Sequence, residues 1–282
     1  MKILITGANG MLAKSVKARL KKGNELICTD VSNLDITDEE AVMKFVQENK
    51  PEYIVNCAAY TAVDKAEEVY DLAEKINSEG PANLAKSAKT IDATLVHIST
   101  DYVFDGDLDV SKSYVEEDEV GPVTVYGKTK LHGEEQVKKN TDKYYIFRTA
   151  WLYGEGNNFV RTMLKLGQER EEVSVVADQH GSPTYAEDLA NIIGQAIEKK
   201  IPYGTYHATN QGFTTWYEFT QKIYELAKVE CKIKPVTSEE FVRPAKRPKN
   251  SQLNKEKLLA QGITIPAWED GLKRYLEVEI KK

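Results

Sequence analysis

Short, unbroken apolar runs alternate with amphipathic stretches from the first residues of the chain. Lys2–Thr6 (KILIT), Glu25–Asp30 (ELICTD), Tyr53–Ala59 (YIVNCAA), Thr94–Thr100 (TLVHIST) and Tyr144–Leu152 (YYIFRTAWL) read as strands. Between them Met11–Lys21, Glu39–Asn49, a stretch ending near Lys89 and Tyr126–Lys139 carry helical spacing. The strand runs are continuous rather than alternating, as expected of strands covered on both faces. Strands regularly separated by helices predict an α/β fold built on a doubly wound parallel sheet with right-handed crossovers.

Beyond Gly154 the rhythm loosens. Val173–Ala177, Thr205–Thr209 and Ile233–Val236 are short strand candidates, and helices are expected at Asn158–Arg170, Glu187–Lys199, Thr215–Ala227 and near the C-terminus. Six of the nine prolines lie after residue 180, which predicts a smaller, loop-rich C-terminal lobe. The division expected is 1–154 for the sheet domain, rejoined by elements near 173–177 and 186–210, with 155–185 and 211–282 forming a substrate-binding lobe.

The 282 residues carry a net charge of −6 with 41% hydrophobic and 29% charged positions, an ordinary globular balance. No apolar run reaches the ~20 residues of a membrane span, and the first ten residues read as a strand and turn rather than a signal peptide. The mild acidity argues against nucleic-acid partners. Cys28, Cys57 and Cys231 are odd in number and widely spaced, and Cys28 and Cys57 read as small buried hydrophobes in a reducing, cytoplasmic setting. The four histidines are scattered, so no metal is expected. The acidic run Glu116–Glu119 reads as a solvated loop, while Arg243, Lys246, Arg247 and Lys249 form either a surface loop or a phosphate grip.

Two constellations carry chemistry. Thr6-Gly7-Ala8-Asn9-Gly10-Met11-Leu12-Ala13 follows the first strand and opens a helix, where backbone N–H groups favour a pyrophosphate. Gly7 allows the tight turn, Gly10 close approach of phosphate, and Ala13 close helix–strand packing. Asp30, twenty residues after Gly10, can accept from adenosine ribose hydroxyls and would repel a 2′-phosphate. Together they predict a Rossmann-type dinucleotide site leaning to NADH, with NADPH allowed.

The second constellation is Tyr126-Gly127-Lys128-Thr129-Lys130. Positions i and i+4 share a helix face, so Lys130 is expected beside the Tyr126 phenol, lowering its pKa. The same spacing recurs at Tyr224/Lys228, which reads as surface decoration because no phosphate loop or strand end lies near it in sequence. Tyr126 is distinguished by Ser99-Thr100-Asp101-Tyr102 at the carboxyl end of the fourth strand. A hydroxyl, an acidified phenol and an ammonium together describe carbonyl reduction.

With TGANGMLA, NCAAYTAVDKAE, STDYVF, YGKTK, RTAWLYG, NNFVRTML, DQHGSPT and RPKNSQLN in place, the chain resembles the extended short-chain dehydrogenase/reductases over nearly its whole length. Within them it resembles the reductases of nucleotide-linked 4-keto-6-deoxy sugars that end dTDP-L-rhamnose synthesis. The resemblance implies Tyr126 as proton donor, with Lys130 and Thr100 as its catalytic partners. It places Gly7, Gly10, Met11, Leu12, Asp30, Asp35, Ile36, Ala58, Ala59 and Tyr60 around the dinucleotide, with Tyr126 and Lys130. Thr100, Asp101, Trp151, Asp178, Gln179 and Arg247 would meet a nucleotide-sugar substrate. Read by position alone, Trp151 is either core or a stacking platform. The first helix lacks the glutamates through which some members bind Mg2+ between subunits, so a metal-bridged dimer is not expected and the chain is read as monomer or homodimer. Sugar-nucleotide dehydratases need a second carboxylate after the aspartate, where this chain has Tyr102. Reduction of another nucleotide sugar and a non-catalytic, dinucleotide-binding regulatory subunit remain the alternatives.

Overall fold

The computed structural model describes residues 1–280. The first half runs β1 (Lys2–Thr6), α1 (Met11–Leu20), β2 (Glu25–Cys28), α2 (Glu39–Asn49), β3 (Tyr53–Asn56), α3 (Val63–Ala66), α4 (Tyr70–Glu74), a π-helical turn at Lys75–Glu79, and α5 (Gly80–Thr90). β4 (Thr94–Thr100), a 3-10 turn at Asp101–Val103, α6 (Val125–Asn140) and β5 (Tyr144–Thr149) follow. The second half holds β6 (Leu152–Tyr153), α7 (Phe159–Glu169), β7 (Glu172–Val176), β8 (His180–Gly181), β9 (Thr184–Tyr185) and α8 (Ala186–Lys199). It ends with β10 (Gly204–His207), β11 (Thr214–Thr215), α9 (Trp216–Ala227), β12 (Lys232–Val236), α10 (Glu256–Ala260) and α11 (Trp268–Glu279).

Six strands form one sheet in the order β10-β5-β4-β3-β1-β2, every neighbouring pair parallel. The alternation within each run explains the two layers. Ile3, Ile5 and Val55 point to the face covered by Val16 and Leu20 of α1 and Ile192 and Ile193 of α8. Leu4, Ile54 and Leu95 point to the opposite face, against Val42, Val46 and Leu84 of α2 and α5. The chain steps from β1 to β2 and then to the far side at β3, so the sheet changes direction between β1 and β3, and a crevice opens at their carboxyl ends.

Several expectations are corrected here. β7 does not rejoin the central sheet: it pairs with β12 in a separate parallel ladder, whereas β10 does join, beside β5. Cys28 is exposed, because it ends β2, the edge strand, where only the middle residues Leu26 and Ile27 are partly buried against the two layers. Tyr224 is buried in the second lobe and donates to the Met163 carbonyl at 3.0 Å, so it is core rather than surface decoration. Glu116 is half-buried and accepts from the His207 backbone N–H at 2.8 Å, so the acidic run is only partly solvated. Among the described residues no helix is long and apolar enough to cross a membrane.

Candidate active site

Three cavities meet along the carboxyl edge of the sheet. The first, about 500 Å³, is lined by Gly7, Gly10, Asp30, Asp35, Ile36, Ala58 and Ala59, with Cys57, Leu72 and Lys75. Gly7 has φ +61°, and a Cβ there would lie 2.7 Å from the Ala58 nitrogen, so only glycine allows this turn against β3. Gly10 caps α1 without a side chain, and the first turn of that helix carries no acid. Bare N–H groups at the positive end of a helix suit a pyrophosphate. Asp30 accepts from the Asn9 backbone at 3.0 Å and from Val31 at 2.8 Å, which fixes its carboxylate at the cavity wall. Behind the wall, Asn56 accepts from Thr6 at 2.7 Å and from the Ala58 N–H at 3.1 Å, tying β1 to β3. These residues fit an adenosine diphosphate half. Tyr60 lines neither this cavity nor the next; its backbone is held by the Asn77 side chain at 2.8 and 3.1 Å.

The second cavity, about 450 Å³, gathers Gly10, Met11, Leu12, Ala58, Ala59, Thr100, Asp101, Tyr102, Tyr126, Lys130 and Trp151. Thr124 caps α6 by accepting from the Gly127 N–H at 3.0 Å, so Tyr126 falls in the first turn and Lys130 one turn later. Thr100 ends β4 and donates to Asp101 at 2.9 Å, while Ser251 donates to the other Asp101 oxygen at 2.6 Å. Burial pushes Asp101 up to about 6, with these two hydroxyls holding it down.

The electrostatics of Tyr126 run opposite to expectation. Lys130 turns its ammonium to the Ile98 carbonyl at 2.6 Å, and the charge that bears on the phenol is Asp101. Burial first, and then Asp101, push Tyr126 up to about 12; a hydrogen bond with Thr100 offsets part of this. Lys130 is itself pulled down to about 8 by burial, against the pull of Glu134. The i to i+4 spacing places both groups at one cavity but does not pair them.

The third cavity, about 340 Å³, is lined by Tyr102, Trp151, Phe159, Gln179, Trp216, Arg243, Arg247 and Ser251, among others. Trp151 lines both the second and the third cavity: it has φ +49°, stacks on Trp216 at 3.7 Å and 14°, and also packs against the buried cluster of Val103, Phe104 and Tyr114. A left-handed tryptophan is a strained backbone, held here by that ring pair. Asp178 does not line the cavity; it accepts from the Ser238 N–H and hydroxyl at 2.9 and 2.7 Å and fixes the start of the basic loop. Gln179 donates to the same hydroxyl at 3.0 Å. Tyr102, missed by sequence reasoning, joins the second and third cavities and packs edge-on against Tyr126, ring centroids 5.5 Å apart. Its signal was its place in the STDYVF run. Trp216 lies too far along the chain for spacing to find it, whereas Arg243 belongs to the basic cluster read from the sequence and lines this cavity.

A family model described as the RmlD substrate binding domain matches residues 1–280. A dTDP-4-dehydrorhamnose reductase structure from Clostridium acetobutylicum superposes with TM-score 0.97 at 52% identity, covering 99% of this chain and 100% of that one. One from Bacillus anthracis, in complex with NADP, gives 0.94 at 45% identity, covering 98% and 99%. The dTDP-4-dehydrorhamnose reductase of Escherichia coli is 39% identical over 292 aligned positions, covering 98% of this chain and 97% of that protein.

Proposed function

We infer the reaction from one premise: the chain belongs to the family described by the RmlD substrate binding domain. It is an oxidoreductase that reduces the C4 ketone of dTDP-4-dehydro-L-rhamnose to dTDP-L-rhamnose using NADH or NADPH. The observation that carries this reading is the second cavity, where Thr100, Tyr126 and Lys130 sit between the glycine-loop cavity and an aromatic, arginine-lined one.

The bound reduced nicotinamide supplies a hydride. The chain must then supply a proton to the oxygen of the former ketone. Tyr126, held near 12, stays protonated at neutral pH and is an acid ready to donate as negative charge builds on that oxygen. Lys130, pulled down to about 8, is mostly cationic at neutral pH and would hold the nicotinamide ribose. Thr100, whose proton goes to Asp101 in this structure, would turn it to the substrate oxygen beside Tyr126. Trp151 would carry the sugar, Gln179 would lie beside it, and Arg247 would meet the diphosphate. Gly7, Gly10, Met11, Leu12, Asp30, Asp35, Ile36, Ala58 and Ala59 would hold the cofactor. Tyr102 occupies the place where elimination would require a carboxylate, so reduction rather than dehydration follows. The cytoplasm, as monomer or homodimer, is the proposed setting.

Tyr126→Phe tests the assignment. Sugar-dependent NADPH oxidation should fall by about 10²-fold or more, the contribution of a positioned general acid, with NADPH binding retained. Unchanged turnover would remove Tyr126 from the mechanism.

A further inference from the structure

Asp64 lies on the single turn of α3, whose neighbour Val63 lines the second cavity. Its carboxylate reaches across to the basic loop of the C-terminal lobe. It accepts from Arg247 Nη2 at 2.9 Å and from the Ala245 backbone N–H at 3.2 Å, and Arg243 Nη1 stands 3.9 Å away. Arg247 Nη1 donates to the Ala245 carbonyl at 3.2 Å, so the guanidinium is gripped along its outer edge. Both arginines line the third cavity. Lys246 points elsewhere, to Asp107 at 3.5 Å. Gly106, with φ +79°, lets Pro248 pack where a Cβ would lie 2.3 Å from the proline ring, closing the other end of the loop.

We propose that Asp64 is a positioning residue that presents Arg247 and Arg243 to the diphosphate of the sugar nucleotide, and so determines selectivity for a diphosphate over a neutral nucleoside. A guanidinium has five N–H donors, and Asp64 and the Ala245 carbonyl take two from Arg247. The remaining donors are left for a ligand in a fixed plane, the geometry that makes arginine effective toward phosphate. The charge balance agrees: two guanidinium cations against one carboxylate leave a net positive site, inside a chain whose total charge of −6 would otherwise disfavour an anion. Asp64 therefore spends part of the local positive charge to hold the loop in its binding shape, and preorganisation of this kind lowers the ordering cost of binding.

The proposal rests on the nucleotide-sugar reading and is tested by direct binding as well as turnover. Calorimetry would compare dTDP, thymidine and NADPH on the full chain carrying Asp64→Asn, Asp64→Ala or neither change. Asp64→Ala should weaken dTDP by about tenfold and the isosteric Asp64→Asn, which still accepts from Ala245, by about threefold. Thymidine and NADPH affinities should stay within twofold, and in turnover KM for the sugar nucleotide should rise while kcat changes little. Equal weakening of thymidine would mean a merely structural role, and unchanged or tighter dTDP binding would mean a competitor for the arginines; either overturns the proposal. If the unaltered protein binds dTDP but reduces no sugar nucleotide, only the reductase reading fails. If it does not bind dTDP, both fail.

Discussion

Replacing Glu134 by Gln should cost more than any other single isosteric change near the site. Glu134 is completely buried on α6, one turn beyond Lys130, and both its oxygens are used. Oε1 accepts from Ser99 at 2.6 Å and from Arg148 Nε at 2.8 Å; Oε2 accepts from Arg148 Nη2 at 2.8 Å and Lys138 at 3.3 Å. Arg148 is 2% exposed and also lies over the Phe104 ring at 5.0 Å. Removing the carboxylate charge strands this guanidinium in the interior, which costs about 3–5 kcal/mol. Against a total stability of roughly 5–15 kcal/mol this is a large share. At about 2 °C per kcal/mol for a chain of this size, Tm should fall by about 6–10 °C at pH 7. The pH dependence gives a second check. Burial alone would raise the Glu134 pKa, but the Arg148 hydrogen bonds and charge win and hold it below the ordinary 4.5. A carboxylate with a depressed folded pKa contributes stability above its unfolded value and loses it as pH falls through the folded one. The Tm difference between the two proteins should therefore be constant from pH 6 to 8 and narrow progressively as pH falls below about 4.5. Thermal unfolding followed by circular dichroism across that range is the assay. A Tm within 1 °C of the parent at pH 7, or a gap that persists undiminished at pH 3.5, would refute the reasoning.

Two further outcomes follow from the site. Lys130 loses its charge above about pH 8, so kcat/KM for the cofactor should decline on the alkaline side of that value, and Lys130→Arg should carry the limb upward; a profile flat to about pH 9.5 in the parent protein would contradict the role given to the ammonium. Asp30→Asn removes a negative charge at the wall of the adenosine cavity, so the ratio of kcat/KM for NADPH to that for NADH should rise by about tenfold, measured by cofactor oxidation at 340 nm; an unchanged ratio would place the 2′-phosphate away from Asp30.

What the sequence made legible was local. β1, α2 and β4 match the expected spans at both ends, because their apolar patterns stop at turns and caps such as Asp38, which accepts from the Ala41 N–H at 2.9 Å. The glycine loop, Asp30 and the Thr100, Tyr126 and Lys130 set gather where the order of parallel strands requires. The remainder depended on contacts between distant segments. The pairing of β7 with β12 joins residues about sixty positions apart, and nothing in either short run specifies its partner. Cys28 and Tyr224 were misplaced because an apolar run does not show whether its strand is an edge, nor a tyrosine-lysine spacing which face of its helix is covered. The direction of the Tyr126 shift was missed for a similar reason. Sequence spacing named Lys130 as the neighbour, but burial and Asp101 govern the phenol.

The central claim is a stoichiometric reduction at C4 with Tyr126 as the acid. It is tested most directly by incubating the protein with dTDP-4-dehydro-L-rhamnose and NADPH, following absorbance at 340 nm and separating the nucleotide sugars by ion-pair chromatography. One NADPH should be consumed for each dTDP-L-rhamnose formed. Sugar conversion without net loss of NADPH, or no conversion by a protein that binds both compounds, would contradict the account.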